Sequence, residues 1–261
     1  MPELPESDAA RRRIADHCLN RRIEAFRFGE ISHCDVPSEA DCATLVGTAF
    51  STTRRHGKYI FAGTKDGPWL HVHLGMSGSL RVHEAEDETP DYARVTVEFE
   101  GGRRLTFRDP RKFGVVKVVD DVDAFVADKG LGPDAMEIGD NAFAEVIGST
   151  KGAIKSALLS QRKLAGVGNL WSDETLYRVG VMPDATAREL EDRTVRHLHR
   201  AMQDIMGLVM DKNADYGQLP RDWLIHHRED GADCPRCGGT ITKMTVGGRT
   251  AYHCPDHQTA A

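Results

Sequence analysis

Two pairs of metal-binding side chains near the end of the chain set the tightest limit on how it folds. Cys234-Pro-Arg-Cys237 places two thiolates on a tight knuckle, and Cys254-Pro-Asp-His257 places a thiolate and an imidazole at the same separation. The stretch between them has the rhythm of a β-hairpin, and residues 228–257 as a whole are turn-rich and too few to build an apolar core. Four soft or borderline ligands in two pairs imply one closed, tetrahedral zinc site per chain, structural because a catalytic zinc keeps a position open for water. The metal then supplies what the core cannot. The competing interpretation is a reduced cysteine cluster beside a bystander histidine. Gly247-Gly248-Arg249 falls where the hairpin turns, so Arg249 is either a phosphate ligand held at the end of a rigid ribbon or an ordinary exposed turn residue.

Ahead of that segment the hydrophobic period changes once. Residues 6–19 read as a short amphipathic helix, with Pro5 suited to its first position and Glu6 and Asp8 to the positive end of its dipole. From Arg22 to Val119 the pattern is one of short strands, among them 58–63, 69–74, 94–99, 103–108 and 114–119, separated by turns at Gly67-Pro68 and Gly101-Gly102. Residues 120–135 read as a link, and helices follow at 140–148, 153–160, 169–178 and 186–211. The expected fold is α+β, with a β-sandwich over 1–130, a helical domain over 131–227 and the metal hairpin over 228–261.

No apolar run approaches the roughly 20 residues that cross a bilayer, and the basic-then-apolar start of a signal peptide is missing, so the expected location is the cytosol. Cys18, Cys34 and Cys42 are then expected to be reduced and inert. A net charge of −6 argues against a general nucleic-acid coat protein. Charge is nonetheless segregated: Arg103, Arg104, Arg108, Arg111, Lys112 and Lys117 stand against Asp109 alone, while acids gather at 84–88 and 120–123. Such a stretch suits a binding cleft or a solvated strand edge.

Two further motifs carry chemistry. In Lys163-Leu-Ala-Gly-Val-Gly-Asn169, glycines precede a helix N-terminus, where backbone amides and the helix dipole favour an anion such as phosphate; a plain turn between packed helices uses the same residues. At the chain start, Met1 precedes a small residue, and its removal leaves Pro2 with a free secondary amine, a group partly uncharged at neutral pH. Attack by that amine on a sugar carbon yields an iminium, from which phosphate elimination follows. Glu3 and Glu6 lie close enough in sequence to move protons there.

Taken together, these residues resemble the formamidopyrimidine-DNA glycosylase and endonuclease VIII family across nearly the whole chain. Pro2-Glu-Leu-Pro-Glu6 resembles its opening. Gly57-Lys58-Tyr59, His73-Leu-Gly-Met-Ser-Gly78 and Asp109-Pro-Arg-Lys-Phe-Gly114 resemble its strand-domain motifs, and Ala153-Ile-Lys155 with Gly166-Val-Gly-Asn169-Leu-Trp-Ser-Asp-Glu174 resembles its helix-two-turn-helix. The resemblance implies a bifunctional enzyme that removes an oxidised base and cuts the strand by β,δ-elimination. It assigns Pro2 as nucleophile at C1′, Glu3 as the acid at the sugar ring oxygen, and Glu6 as a carboxylate orienting water or base. Lys58, Lys155, Asn169 and Arg249 would grip phosphates, while Met76, Arg111 and Phe113 would fill the gap left by the everted nucleotide. The implied partner is double-stranded DNA with damaged bases or abasic sites, crossing between the domains of a monomer.

Two departures stand out. His257 occupies a position that is commonly cysteine, and Tyr216 to Asp233 does not show the longer Gly-Gly-Ser/Thr-Thr-Leu-Arg-Asp segment that caps 8-oxoguanine in the formamidopyrimidine branch. A rival of another class is a lesion-binding protein without catalysis, against which Pro2, Glu3 and Glu6 all speak.

Overall fold

Proline is tolerated within the first turn of a helix, where an amide has no partner to lose. Helix α1 accordingly runs Leu4–His17, starting two residues before the position expected from Pro5. The computed structural model describes residues 1–260, which divide into two units, Met1–Pro2 with Glu6–Gly130 and Glu3–Pro5 with Leu131 onward.

In the first unit α1 is followed by β1 (Ile23–Phe28), α2 (Glu39–Ala43), β2 (Phe50–His56), β3 (Tyr59–Thr64), β4 (Trp69–His73), β5 (Ser79–Glu84), β6 (Ala93–Phe99), β7 (Arg103–Arg108), β8 (Val115–Val119) and α3 (Val122–Asp128). The strands form two antiparallel sheets, β1-β6-β7-β5 and β2-β3-β4-β8. Ile60 and Val72 of one sheet share a core with Leu80, Val97 and Phe107 of the other and with Ile14 of α1, as in a sandwich. Phe50 and Phe99 meet edge to face with centroids 5.9 Å apart. The helix α3 interrupts the stretch read as a link. Its start is fixed by Asp121, whose side chain accepts from Ala124 N at 2.7 Å, a cap signal overlooked within an acidic run.

The second unit contains α4 (Asp140–Gly148), α5 (Ile154–Leu159), α6 (Asn169–Val179), α7 (Asp192–Asp211) and the hairpin β9 (Thr242–Val246) and β10 (Arg249–His253). Helix α7 begins later than the expected 186, because Ala187–Glu189 form a 3₁₀ turn and Glu191 is extended. Val195, Leu198, Met202, Ile205 and Val209 put its buried stripe into a core with Phe143, Leu158 and Trp171. Around the knuckles the apolar cluster shrinks to Tyr177, Leu224, Cys234, Ile241 and Cys254. So small a core fits a segment folded around a metal.

Helix α6 is buried from Trp171 to Tyr177 although it carries Ser172, Asp173, Glu174 and Thr175 there. Thr175 Oγ1 donates to Trp171 O at 2.7 Å, and Ser172 Oγ to Asn169 O at 3.1 Å. The Glu174 carboxylate accepts Leu224 N at 3.2 Å and Ile225 N at 2.9 Å. Burial, only partly offset by these amides, pushes its pKa up to about 7.

Between pH 4.5 and 7 the unfolded chain releases the Glu174 proton while the folded chain keeps it, so stability falls as pH rises through this window. Full expression of the effect is worth about 3 kcal/mol at most. Glu174→Gln is expected to flatten the fall; urea midpoints at pH 5 and pH 7 that change equally in both proteins would contradict this assignment.

Candidate active site and metal centre

The N-terminal segment is built into the second unit through Glu3. Its carboxylate accepts Leu170 N at 2.8 Å and Trp171 N at 3.3 Å, the free amides at the start of α6, and Leu4 N donates to Gly166 O at 3.2 Å. The glycine turn therefore places an anion at a helix N-terminus, as its composition suggested, but the anion is the protein's own Glu3 and not a phosphate. This explains both glycines. A Cβ on Gly168 would fall within the Glu3 carboxylate, and one on Gly166, at φ +116°, within the Leu4 side chain. Pro2, next to Glu3, is half-buried, and Met1 before it is exposed.

Lys155 does not take the phosphate position expected of it. It has no solvent exposure and is paired with the equally buried Asp173, and Lys155 Nζ also donates to Asn169 O at 3.4 Å. A cation sealed in the interior cannot meet a phosphate, and its charge is retained by Asp173 against burial, which lowers the Lys155 pKa. Asp173 also accepts Arg228 Nη2 at 2.7 Å, Arg228 Nε at 3.2 Å and Tyr252 N at 3.2 Å, while the guanidinium lies over the Tyr252 ring. One carboxylate thus joins α5, α6 and β10. Asn169 itself is half-buried, with Oδ1 unpartnered among the described residues. A half-turn of the amide would present its NH₂ there instead.

In the first unit, Lys58 lies in the β2–β3 turn, where its carbonyl accepts Ser7 Oγ at 3.3 Å. Burial, with a smaller contribution from the Lys58 charge, depresses His73 to about 4, and the neutral His73 Nδ1 accepts Gly75 N at 3.2 Å. His73 thereby holds the turn bearing Met76. Asp109, buried, fixes the neighbouring loop. It accepts Ser77 Oγ at 2.6 Å, Arg111 N at 3.2 Å and Gly114 N at 2.7 Å. Two loops are joined in this way, and they present Met76 41% exposed, Phe113 57% exposed, and the Arg111 guanidinium 5.3 Å from the Phe113 ring centroid. Apolar side chains this large are not left in water by chance beside a rigid, hydrogen-bonded frame.

The basic stretch is less basic than it reads. Arg103 pairs with Glu84 at 2.8 Å, Arg104 with Glu98 at 3.1 Å, Lys112 with Glu30 at 2.5 Å and Lys117 with Asp35 at 3.0 Å. Arg108 faces the Tyr92 ring.

Cys234, Cys237, Cys254 and His257 bring their ligand atoms within 4.8 Å of one another. Cys237 Sγ is 3.5 Å from Cys254 Sγ, and His257 Nδ1 is 3.6 Å from Cys234 Sγ and 3.7 Å from Cys237 Sγ. A tetrahedral zinc with bonds of about 2.3 Å to sulfur and about 2.0 Å to nitrogen puts its ligand atoms roughly 3.5–3.8 Å apart, so the residues fit the ion. His257 Nε2 donates to Tyr177 O at 3.2 Å, which leaves the Nδ1 lone pair for the metal. Tyr177 Oη lies 3.1 Å from Cys234 Sγ, and Gly239 N donates to Cys237 Sγ at 3.4 Å. At the far end of the ribbon Gly247 and Gly248, at φ +56° and +75°, make the turn that the sequence implied, with Arg249 exposed beside it.

Comparison with known proteins follows these features along the chain. Residues 1–116 match the formamidopyrimidine-DNA glycosylase N-terminal domain and residues 130–216 the formamidopyrimidine-DNA glycosylase H2TH domain. The formamidopyrimidine-DNA glycosylase of Syntrophotalea carbinolica is 33% identical over 270 residues, spanning 97% of this chain and 98% of its own length. The chain belongs to the formamidopyrimidine-DNA glycosylase family. The Arabidopsis thaliana member is 30% identical over 277 residues, or 99% of this chain and 71% of its own. The Lactococcus lactis glycosylase non-covalently bound to DNA containing an AP site superposes with a TM-score of 0.87 at 25% identity, covering 99% of this chain and 100% of its own. A MutM protein in complex with DNA containing carbocyclic 8-oxo-G gives 0.88 at 25%, with the same coverage. Membership makes the chain a DNA glycosylase of base excision repair.

Asp173, Arg228, Asp109 and His73 went unassigned in the sequence. Adjacent acids inside a helical pattern, as at Asp173-Glu174, were the available signal for the first of these.

Two outcomes are expected of this glycosylase. Purified protein should contain close to one zinc per chain, retained in His257→Cys and lost in His257→Ala; full occupancy in the alanine variant would remove His257 from the ligand set. Lys155→Met should destabilise the fold by about 3–5 kcal/mol, since it leaves a buried carboxylate short of a partner, while the salt dependence of DNA binding stays unchanged. A slope reduced by about one unit would return Lys155 to the phosphates.

Proposed function

We propose that the protein removes damaged bases from double-stranded DNA and then cuts the strand, with Pro2 as nucleophile once Met1 is removed. The observation that carries this reading is the Glu3 carboxylate, covalently next to Pro2 and buried on the amides of Leu170 and Trp171, which fixes the chain start in a single orientation. A secondary amine so anchored works without the entropy of a loose terminus.

The Pro2 nitrogen adds its lone pair to C1′, and the bond from C1′ to the base breaks, its electron pair leaving with the base, which takes up a proton. Opening of the sugar ring at C1′–O4′ gives a protonated O4′ and an iminium. Loss of a C2′ proton expels the 3′ phosphate, and a second elimination expels the 5′ phosphate. Glu3, with both oxygens accepting amides, supports the iminium as a fixed negative charge; this is a different part from the ring-oxygen acid that the resemblance implied. Glu6, on the first turn of α1, orients water or the departing base.

Lys58, Asn169 and Arg249 are the phosphate contacts, and the zinc, held by Cys234, Cys237, Cys254 and His257, keeps the Arg249 ribbon rigid and takes no part in the chemistry. Met76, Phe113 and Arg111 replace the everted nucleotide in the stack.

Borohydride added to the demethionylated enzyme with abasic-site duplex should trap a covalent adduct whose mass maps to Pro2, and Pro2→Ala should lower strand cleavage by roughly tenfold or more. An adduct on another residue, or cleavage undiminished by Pro2→Ala, would reject the mechanism while leaving glycosylase membership intact.

A further inference from the structure

The second unit carries a groove of about 610 Å³ that none of the chemistry above uses. Ala201, Leu208 and Pro235 give it an apolar floor above the buried Trp223, and Arg178, Arg200 and Arg236 stand around it. A neighbouring hollow of about 510 Å³ continues along α7 past Arg193, Arg196 and His197. Leu198, Met202, Ile205 and Val209 turn the other side of α7 into the core, so the arginines occupy its solvent face.

Three of these cations, Arg193, Arg196 and Arg200, have no carboxylate partner among the described residues, in a chain whose net charge is −6. Arg178 and Arg236 are held in place. Arg178 stacks 5.1 Å from the Trp223 ring centroid and lies 3.5 Å from Asp222, and Arg236 Nη1 donates to Arg178 O at 2.8 Å. Asp204 and Asp222 are the acidic groups that face the groove, and Glu191 faces the neighbouring hollow.

The groove sits at the wrong ends of its elements for the lesion strand. Tyr177 and Arg178 close α6, about 13 Å along the axis from Asn169 at 1.5 Å per residue. The Cys234–Cys237 knuckle lies at the base of the ribbon whose tip bears Arg249. An apolar floor also has nothing to offer a phosphate backbone, whereas it accepts a bulky side chain.

We propose that this groove docks an acidic peptide segment of a partner protein, its carboxylates on Arg193, Arg196 and Arg200 and one large apolar side chain against the half-buried Ala201, Leu208 and Pro235. Guanidinium forks suit carboxylates, and a single apolar anchor in a concave site supplies the remaining affinity.

The test uses the zinc-loaded full chain and a fluorescein-labelled octapeptide of five aspartates, glycine, leucine and phenylalanine. Anisotropy should report a Kd on the order of 10 µM, weakened at least tenfold by Arg200→Glu, by Arg196→Glu, and by serine in place of the peptide phenylalanine. Strand cleavage on a short lesion duplex should be unchanged in both variants. Absence of peptide binding at about 1 mM, or binding indifferent to both charge reversals, overturns the proposal. Displacement of the peptide by undamaged duplex, or loss of cleavage in either variant, overturns it in favour of an extended DNA footprint.

Discussion

The carboxylate of Asp173 is the interaction on which the second unit depends. It is fully buried and takes hydrogen bonds from Lys155, from two nitrogens of Arg228 and from the backbone of Tyr252. Lys155 and Arg228 share the Asp173 carboxylate, and Glu3 adds a smaller favourable field at Lys155. Because Tyr252 belongs to β10 and Glu3 adjoins Pro2, these charges tie the metal ribbon and the chain start to one helix.

Helix α6 uses one device at two places. Glu3 covers the amides at its own N-terminus, and Glu174 covers the amides of Leu224 and Ile225. Each pairing satisfies two donors that burial would otherwise leave unmet. The difference is functional. Glu3 stands at the positive end of a helix dipole beside the proposed nucleophile, whereas Glu174 fastens the segment that replaces a free capping loop. Residues Leu219, Trp223 and Leu224 are buried and Arg228 is engaged with Asp173, so the stretch from Tyr216 to Asp233 is committed to packing.

Local rules were legible in the sequence wherever a single element determined the outcome. β7 was readable at both ends, and the remaining quoted strands within a residue, because turns at Gly101-Gly102 and Gly67-Pro68 punctuate a period-2 pattern. The clustering of Cys234, Cys237, Cys254 and His257 was legible because paired spacing alone constrains a knuckle. What could not be read depended on which residue reaches which across long sequence separations. Lys155 was given to a phosphate by the family resemblance alone, and the partner it has lies eighteen positions away on another helix. The Gly166–Asn169 turn looked like a phosphate site because the anion that fills it comes from the third residue of the chain. In both cases the residue type predicted the chemistry, a cation seeking an anion and a helix end seeking a carboxylate, and the fold chose an internal partner.

Charge pairing also explains how a chain of net charge −6 presents a cationic tip. Three acids of the first unit each hold more than one cation: Asp8 faces Arg11, Arg12 and Arg55, Glu98 faces Arg27 and Arg104, and Glu30 faces Arg94 and Lys112. Surface pairs of this kind add little stability each, but they cancel the local field of the cations they hold. Arg111 is left out of the pairing. Its amide is fixed by Asp109 and its guanidinium lies over the exposed Phe113 ring, so a lone positive charge and an apolar wedge share one rigid loop. With Lys112 held by Glu30, the loop has less general attraction for phosphate, which suits the gap-filling part proposed for Arg111 and Phe113.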